Sequence, residues 1–379
     1  MSGDNDSDMI LDAVDRFCRD RLSGEEVLRR DREHVPPYDL IAPMAEMGLL
    51  RVSLPEQHGG LGLGWTMLFR IQERIGYHAN FVASIISRIV NFGAMPVILF
   101  GTPRQRDEIL PQILEGRLLV ALALTEPGAG SDARGIATRA QRVRNGWKIT
   151  GRKTWISDAD AANFLLTLCR VRGKDDQKDA LTAFLVPRQS AGLHMTALPK
   201  VGNWCMPCFD IGFDDVLIGD EYRLGEIGAG FETVTGTLQY SRASQAATVV
   251  GMAQAALDTA MAHAKQRIQF ARPLTQFQVI RHRLVDMHME VSKARLLLYE
   301  LARRIDAMEP TGEWSAMAKI TATDALQYVT THGMQILASA GYSADSRMQR
   351  YWRDGRLFTF GEGSNEIQRE IIARQIGLY

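Results

Sequence analysis

Glu362 stands between two glycines in the run Phe360-Gly361-Glu362-Gly363-Ser364-Asn365-Glu366-Ile367-Gln368-Arg369. Glycine lets the chain turn tightly and lets a ligand approach the backbone closely. Ser364 is a good N-cap, and Ile367, Ile371, Ile372 and Ile376 continue as an apolar helical pattern. Glu362 therefore projects from a turn anchored by a helix, a setting that suits a general base. Taken alone, the same ten residues also read as an exposed loop glutamate.

Four further stretches carry usable chemistry. Residues 124–132, Leu124-Thr125-Glu126-Pro127-Gly128-Ala129-Gly130-Ser131-Asp132, leave an apolar run and turn through two glycines. Free backbone N–H groups with the Thr125 and Ser131 hydroxyls could bind the polar edge of a flat cofactor or a phosphate. In Lys153-Thr154-Trp155-Ile156-Ser157, Trp155 offers a flat apolar face, with Ser157 two residues on and on the same side of a strand. Residues 267–278 (Arg267-Ile268-Gln269-Phe270-Ala271-Arg272-Pro273-Leu274-Thr275-Gln276-Phe277-Gln278) interrupt two long helical patterns, and residues 335–342 run Gln335-Ile336-Leu337-Ala338-Ser339-Ala340-Gly341-Tyr342. Each has an ordinary structural reading too: a tryptophan on a strand packs in a core, and arginines at a helix end favour the helix dipole.

The elements that must position these residues follow from periodicity. Residues 9–100 read as helices, with a glycine-rich connector at 58–64, and Thr102 caps another helix through Leu114. At about Leu118 the period changes. Strand patterns alternate with turns through about Asp220, and Asn145-Gly146 marks a hairpin. Helix returns at Gly230. Residues 231–267 are rich in alanine and glycine, which allows close packing by neighbours. Ile280, Leu284, Met287, Val291, Ala294, Leu298, Leu301, Ile305 and Met308 form a heptad seam. The expected division is a helical domain over 1–117, a β domain over 118–225 and a helical bundle over 226–379.

Composition bounds the function classes. Lys+Arg and Asp+Glu are both 44, so the chain lacks the basic excess that binds a nucleic-acid backbone. Cys205 and Cys208 make a lone C-x-x-C with no second ligand pair, so no metal site is expected. Few cysteines, an acidic polar start and no apolar run approaching about 20 residues point to a cytoplasmic protein.

The stretches, in this order, resemble the acyl-CoA dehydrogenase family along nearly the whole chain. Residues 125–132 match its T-E-P-x-A/G-G-S-D, Trp155-Ile156-Ser157 its W-I-T/S, residues 267–278 its R-x-x-F-G-x-P-L-x-x-F-Q, and residues 360–369 its Y-E-G-T-x-x-I-Q-R. The resemblance implies an α+β fold: an N-terminal α-helical domain, a central β-barrel-like domain and a C-terminal four-helix bundle, assembled as a homotetramer or a dimer. It implies FAD, with Leu124, Thr125 and Ser131 along the isoalloxazine, Trp155 covering the ring and Ser157 donating to flavin N5. Arg267, Gln269, Phe270, Gln335 and Ser339 would reach a neighbouring subunit's FAD, and Ser364 and Glu366 the FAD adenosine. Ser131, Arg242 and Gly363 would border the substrate, with Arg242 towards its CoA part. Glu362 would remove the Cα proton of an acyl thioester while the Cβ hydrogen leaves as hydride to flavin N5, with electrons passing on to an electron-transfer flavoprotein. Some members carry the base just before the arginine; here that position is Ser241, which cannot serve.

The chain departs from the family pattern at Trp204, Met206, Gln239, Ala271 and Ala338-Ser339. Trp204 and Met206 lie in a segment that borders substrate in the family, so the departures bear on the acyl group or its carrier, CoA or a carrier protein. Two other readings keep the fold: an acyl-thioester oxidase, and a non-catalytic acyl-CoA or acyl-carrier binding protein.

Overall fold

The computed structural model describes residues 2–172 and 179–379. Among the described residues, eight α-helices precede the sheet: α1 (Ser2–Arg21), α2 (Gly24–Glu33), α3 (Ile41–Glu46), α4 (Gly64–His78), α5 (Asn80–Arg88), α6 (Met95–Phe100), α7 (Pro103–Glu108) and α8 (Leu110–Leu114). Thr102 caps α7 in a capping box with Gln105. The helix expected through Leu114 breaks at Ile109, ahead of Pro111.

Between α5 and α6 the chain makes a π-helical turn over Ile89–Ala94, so Asn80–Phe100 is one continuous helical run of 21 residues. An 18-residue window of it has a mean hydropathy of 1.7, which corrects the expectation that no apolar run is long enough to span a bilayer. Of that window, 83% is buried inside the protein, so its apolar surface is used in the core.

The strands of the main sheet are β1 (Val120–Ala123), β2 (Arg139–Val143), β3 (Gly146–Ser157), β4 (Phe164–Val171), β5 (Ala180–Pro187), β6 (Leu193–Ala197), β7 (Cys208–Ile218) and β8 (Arg223–Leu224). Their order is β6-β7-β3-β2-β4-β5-β8, with β1 parallel to β4. The hairpin expected between β2 and β3 is present, but its turn is Arg144-Asn145, one residue earlier than Asn145-Gly146, because Gly146 already pairs with Val143 as the first residue of β3. β6 was not among the strands picked out from the sequence; its residues Leu193-His194-Met195-Thr196-Ala197 alternate in polarity, but no position in it is fully buried.

The remaining helices are α9 (Gly230–Gln266), α10 (Gln278–Asp306), α11 (Gly312–Leu337), α12 (Ser339–Tyr342), α13 (Arg347–Gly355) and α14 (Asn365–Gln375). The α10 seam is buried from Leu284 to Leu301, but Met308 lies beyond the helix and is exposed, so the seam ends at Ile305. Small residues bring α4 and α9 together. A Cβ at Gly251 would lie 2.0 Å from the Glu73 carbonyl oxygen, and one at Gly76 would lie 2.5 Å from that of Thr248.

Those contacts explain a feature absent from the sequence pattern. The first and last helical regions share one hydrophobic core, which also takes in Leu166, Leu168 and Leu185 from one face of the sheet, while a second core lies on the sheet around Trp147, Ile149, Phe184 and Ile211.

Candidate active site

The turn before α14 is held from three sides. Glu362 itself has φ +57° and Gly363 φ +93°. The left-handed strain therefore falls on the glutamate and the glycine after it, and Gly361 has no positive φ. A Cβ at Gly363 would sit 2.8 Å from Gln368 Nε2, the end of a flexible side chain, so it is the φ of +93° that favours glycine at position 363. Ser364 caps α14 by accepting from the Ile367 N–H at 3.4 Å. A non-glycine residue in this backbone region signals a functional constraint more often than an accident.

The Glu362 side chain is half-buried against α9. Ser241 Oγ donates to its Oε2 at 2.7 Å, and Arg242 Nε donates to its backbone carbonyl at 3.1 Å. Burial pushes the carboxyl above its usual range, while Ser241, Arg242, Lys319 and Arg88 pull the other way. Burial also draws Arg242 below its ordinary value, opposed by the Glu362 charge. Below the turn, Lys319 Nζ donates to the Gly363 carbonyl at 3.0 Å and to Asn365 Oδ1 at 2.9 Å. The result is a carboxylate with raised proton affinity, aimed by hydrogen bonds on both its side chain and its backbone. That is the chemical profile of a general base for a weak acid.

The first two motifs are stitched into one surface. Thr154 N–H donates to the Thr125 carbonyl at 2.9 Å, and the fully buried Lys153 Nζ donates to the Leu124 carbonyl at 3.0 Å and to Glu126 at 2.8 Å. Glu126 also accepts from the Ala137 and Thr138 N–H groups, at 2.6 and 2.9 Å. Trp155, with φ +60°, is left 55% exposed, beside half-buried Leu124 and Thr125 and exposed Ser131. A Cβ at Gly128 or Gly130 would meet no atom within 4 Å, so the turn leaves backbone open to a ligand. An exposed indole face, open backbone and two hydroxyls fit a planar, polar-edged ring such as a flavin.

Ser157, half-buried at the end of β3, lies 3.3 Å from Cys208 Sγ. The next residue, Asp158, is ion-paired to Arg88 of α5, whose charge also acts on Glu362. This links the Trp155–Ser157 strand end to the Glu362 turn. Cys205 and Cys208 are buried free thiols, and burial pushes the Cys205 thiol up to about 12.

The other proposed cofactor residues are elsewhere. Arg267, Gln269, Phe270, Gln335 and Ser339 are exposed, Phe270 to 88%. No hydrogen bond among the described residues joins them to the Glu362 or Trp155 surfaces. Phe270, Ala271 and Ala338 all have positive φ, at 49°, 59° and 50°. Ala271 and Ala338 thus keep backbone conformations that glycine favours, although alanine has replaced it. Glu366 is exposed on the first turn of α14.

The departures resolve structurally. Trp204 stacks on Arg353, whose guanidinium carbon is 3.7 Å from the ring centre, lies 4.8 Å from His34 and donates to the Lys200 carbonyl at 2.9 Å. Its ring thus ties the sheet to α13 and the end of α2. Met206 is buried, its sulfur 3.3 Å from Arg88 Nη1. Gln239 lies against the start of α11, its side-chain oxygen accepting from Thr311 at 3.3 Å. A separate cleft of about 970 Å³, between α6–α8 and the sheet, contains none of these residues.

Family models for the N-terminal, middle and C-terminal domains of acyl-CoA dehydrogenase match residues 4–117, 121–216 and 228–377. This chain belongs to the acyl-CoA dehydrogenase family. It is 34% identical to the probable acyl-CoA dehydrogenase YngJ of Bacillus subtilis over 97% of each chain. It superposes on butyryl-CoA dehydrogenase from Megasphaera elsdenii with a TM-score of 0.92 at 31% identity, covering 98% of this chain and 97% of that one. The FAD complex of PigA also matches, with a TM-score of 0.92 at 26% identity over 99% and 98%. The chain is therefore an oxidoreductase of the acyl-CoA dehydrogenase type with FAD as its cofactor.

Positive φ recurs at Trp155, Phe270, Ala271 and Glu362, each of which lies in a stretch that matches a family motif. Sequence reading set Ser241 aside as a non-base and passed over Lys319 and Arg88. The only available signal for Lys319 was a lysine on the same helical stripe as Ala316, Ala322, Thr323 and Leu326, a buried face.

Proposed function

We propose that the protein catalyses α,β-dehydrogenation of an acyl thioester, with Glu362 removing the Cα proton. The observation that carries this reading is the Glu362 carboxylate, hydrogen-bonded by Ser241 at 2.7 Å and made more basic by burial. FAD, when bound against Trp155 and Thr125, supplies the acceptor for the Cβ hydride. The chain's own groups do the rest. Glu362 takes the proton, and Ser241 keeps its carboxylate aimed. The Ser157 hydroxyl is available to donate towards the ring. The Glu362 N–H, set by the left-handed turn, serves as a donor to the thioester carbonyl as charge develops there.

The carrier is CoA or a carrier protein, with Arg242 and Gly363 bordering it, and an electron-transfer flavoprotein takes the electrons. Exposed Phe270 and Ile268, at 88% and 59%, favour an assembly, a homotetramer or a dimer, in which a second copy covers them. Four buried free cysteines are in keeping with a reducing, cytoplasmic setting.

Anaerobic mixing with a panel of straight, branched and aryl acyl-CoA thioesters tests the reading. At least one should bleach the flavin absorbance. Failure of every member of this panel, and of the same acyl groups loaded on a carrier protein, to do so would overturn it.

A further inference from the structure

Lys319 lies on α11 directly beneath the Glu362 turn and is wholly buried. Its Nζ donates to the Gly363 carbonyl at 3.0 Å and to Asn365 Oδ1 at 2.9 Å. Asn365 in turn donates to Thr323 Oγ1 and Asp324 Oδ1, each at 3.0 Å. Gln368 Nε2 gives the Gly363 carbonyl a second donor at 3.1 Å. The peptide after Glu362 is therefore clamped by two donors from two helices.

Docking α14 does not require an ammonium there. Ser364 already caps the helix, and Ala318, Ala322 and Leu326 pack around the same face of α11. Burying an ammonium costs several kcal/mol of hydration, which an apolar side chain in its place would avoid. Moreover, among the described residues no carboxylate lies within salt-bridge distance of Lys319. Its partners are a carbonyl and an amide, so its charge is not cancelled locally and acts on its surroundings.

The charged groups around the pair come from every neighbouring element. Arg242 on α9, Lys319 on α11 and Arg88 on α5 act on Glu362, with the Ser241 hydroxyl in direct contact. Glu362, Glu366 on α14, Asp324 on α11 and Arg242 act on Lys319. Burial draws Lys319 down to about 8, so it remains largely protonated at neutral pH.

We propose that Lys319 is a positioning residue for the reaction: it fixes the peptide that follows Glu362, and its uncancelled charge holds that carboxylate in the ionised form that accepts a proton. The proposal rests on Glu362 being the base. It assigns Lys319 no contact with substrate.

The test uses the FAD-loaded full chain and the variants Lys319→Met, Lys319→Gln and Lys319→Arg. Two readouts are followed against pH. One is the infrared band of the Glu362 carboxyl, assigned by its loss in Glu362→Gln. The other is the single-turnover rate of anaerobic flavin reduction by whichever acyl-CoA reduces the wild type fastest. Removing a nearby positive charge favours the neutral carboxyl, so Lys319→Met and Lys319→Gln should raise both midpoints by about one pH unit. Lys319→Arg should return them towards wild type. Lys319→Met should also lower the plateau rate about ten-fold, and Lys319→Gln less, because its amide can still donate to the Gly363 carbonyl.

Folded Lys319→Gln with unmoved or lowered midpoints would overturn the proposal and leave Lys319 as a packing residue. Failure of all three variants to fold would do the same. If no acyl thioester reduces the wild type, the proposed function fails, while the infrared titration still decides whether Lys319 controls Glu362.

Discussion

Replacing Ser241 by alanine removes one hydroxyl and little else, because the side chain is buried and nearly isosteric. That hydroxyl donates to Glu362 Oε2 at 2.7 Å. A hydrogen bond to an ionised group contributes about 1.5–3 kcal/mol. The protonated carboxyl keeps part of that interaction, so the difference between the two forms is about 1.4 kcal/mol, or about one pKa unit. Because the bond favours the charged form, its loss raises a proton affinity that burial has already raised. The acid limb of the reaction should therefore move up by about one pH unit in Ser241→Ala. The rate on the alkaline plateau should stay within about three-fold, because Arg242 and Lys319 still hold the backbone of the turn. Anaerobic stopped-flow measurement of flavin reduction across pH reads both quantities. An acid limb that stays put or moves down would refute the reasoning, since it would mean that Ser241 does not stabilise the ionised carboxylate.

Two further outcomes follow from the same contacts. Lys153→Met leaves Glu126 buried with two backbone donors but no cation, and also frees the Leu124 carbonyl. Breaking a buried pair from one side costs about 3–5 kcal/mol, so the variant should unfold at lower denaturant and lose FAD on gel filtration. Ala338→Gly relieves a residue at φ 50°, ψ −133°. It should stabilise the chain by about 1 kcal/mol, seen as a higher midpoint in chemical denaturation.

Much of this architecture was written locally in the chain. The α10 seam is legible because Leu284, Met287, Val291, Ala294, Leu298 and Leu301 repeat at heptad spacing and are all buried. The Glu362 turn is legible because glycine, an N-cap and a helix are adjacent in sequence. What was not legible depends on contacts between distant segments. Nothing near Gly76 or Gly251 announces that α4 and α9 touch and merge two helical regions into one core. Nothing near Trp204 announces that its ring stacks on Arg353, 149 positions later in the sequence and 3.7 Å away in space. Ser241 looked irrelevant once its hydroxyl was excluded as a base, yet its value lies in the carboxylate it meets 121 residues on. Lys319 was silent for the same reason: a lysine reads as a surface residue until its carbonyl and amide partners are seen.

The central claim is that Glu362 is the base, and Glu362→Gln tests it most directly. The amide keeps the shape and can still accept from Ser241, so FAD content and thioester binding should match the wild type. Single-turnover flavin reduction should fall by about a thousand-fold or more. Near-normal reduction by folded, FAD-containing Glu362→Gln would contradict the account.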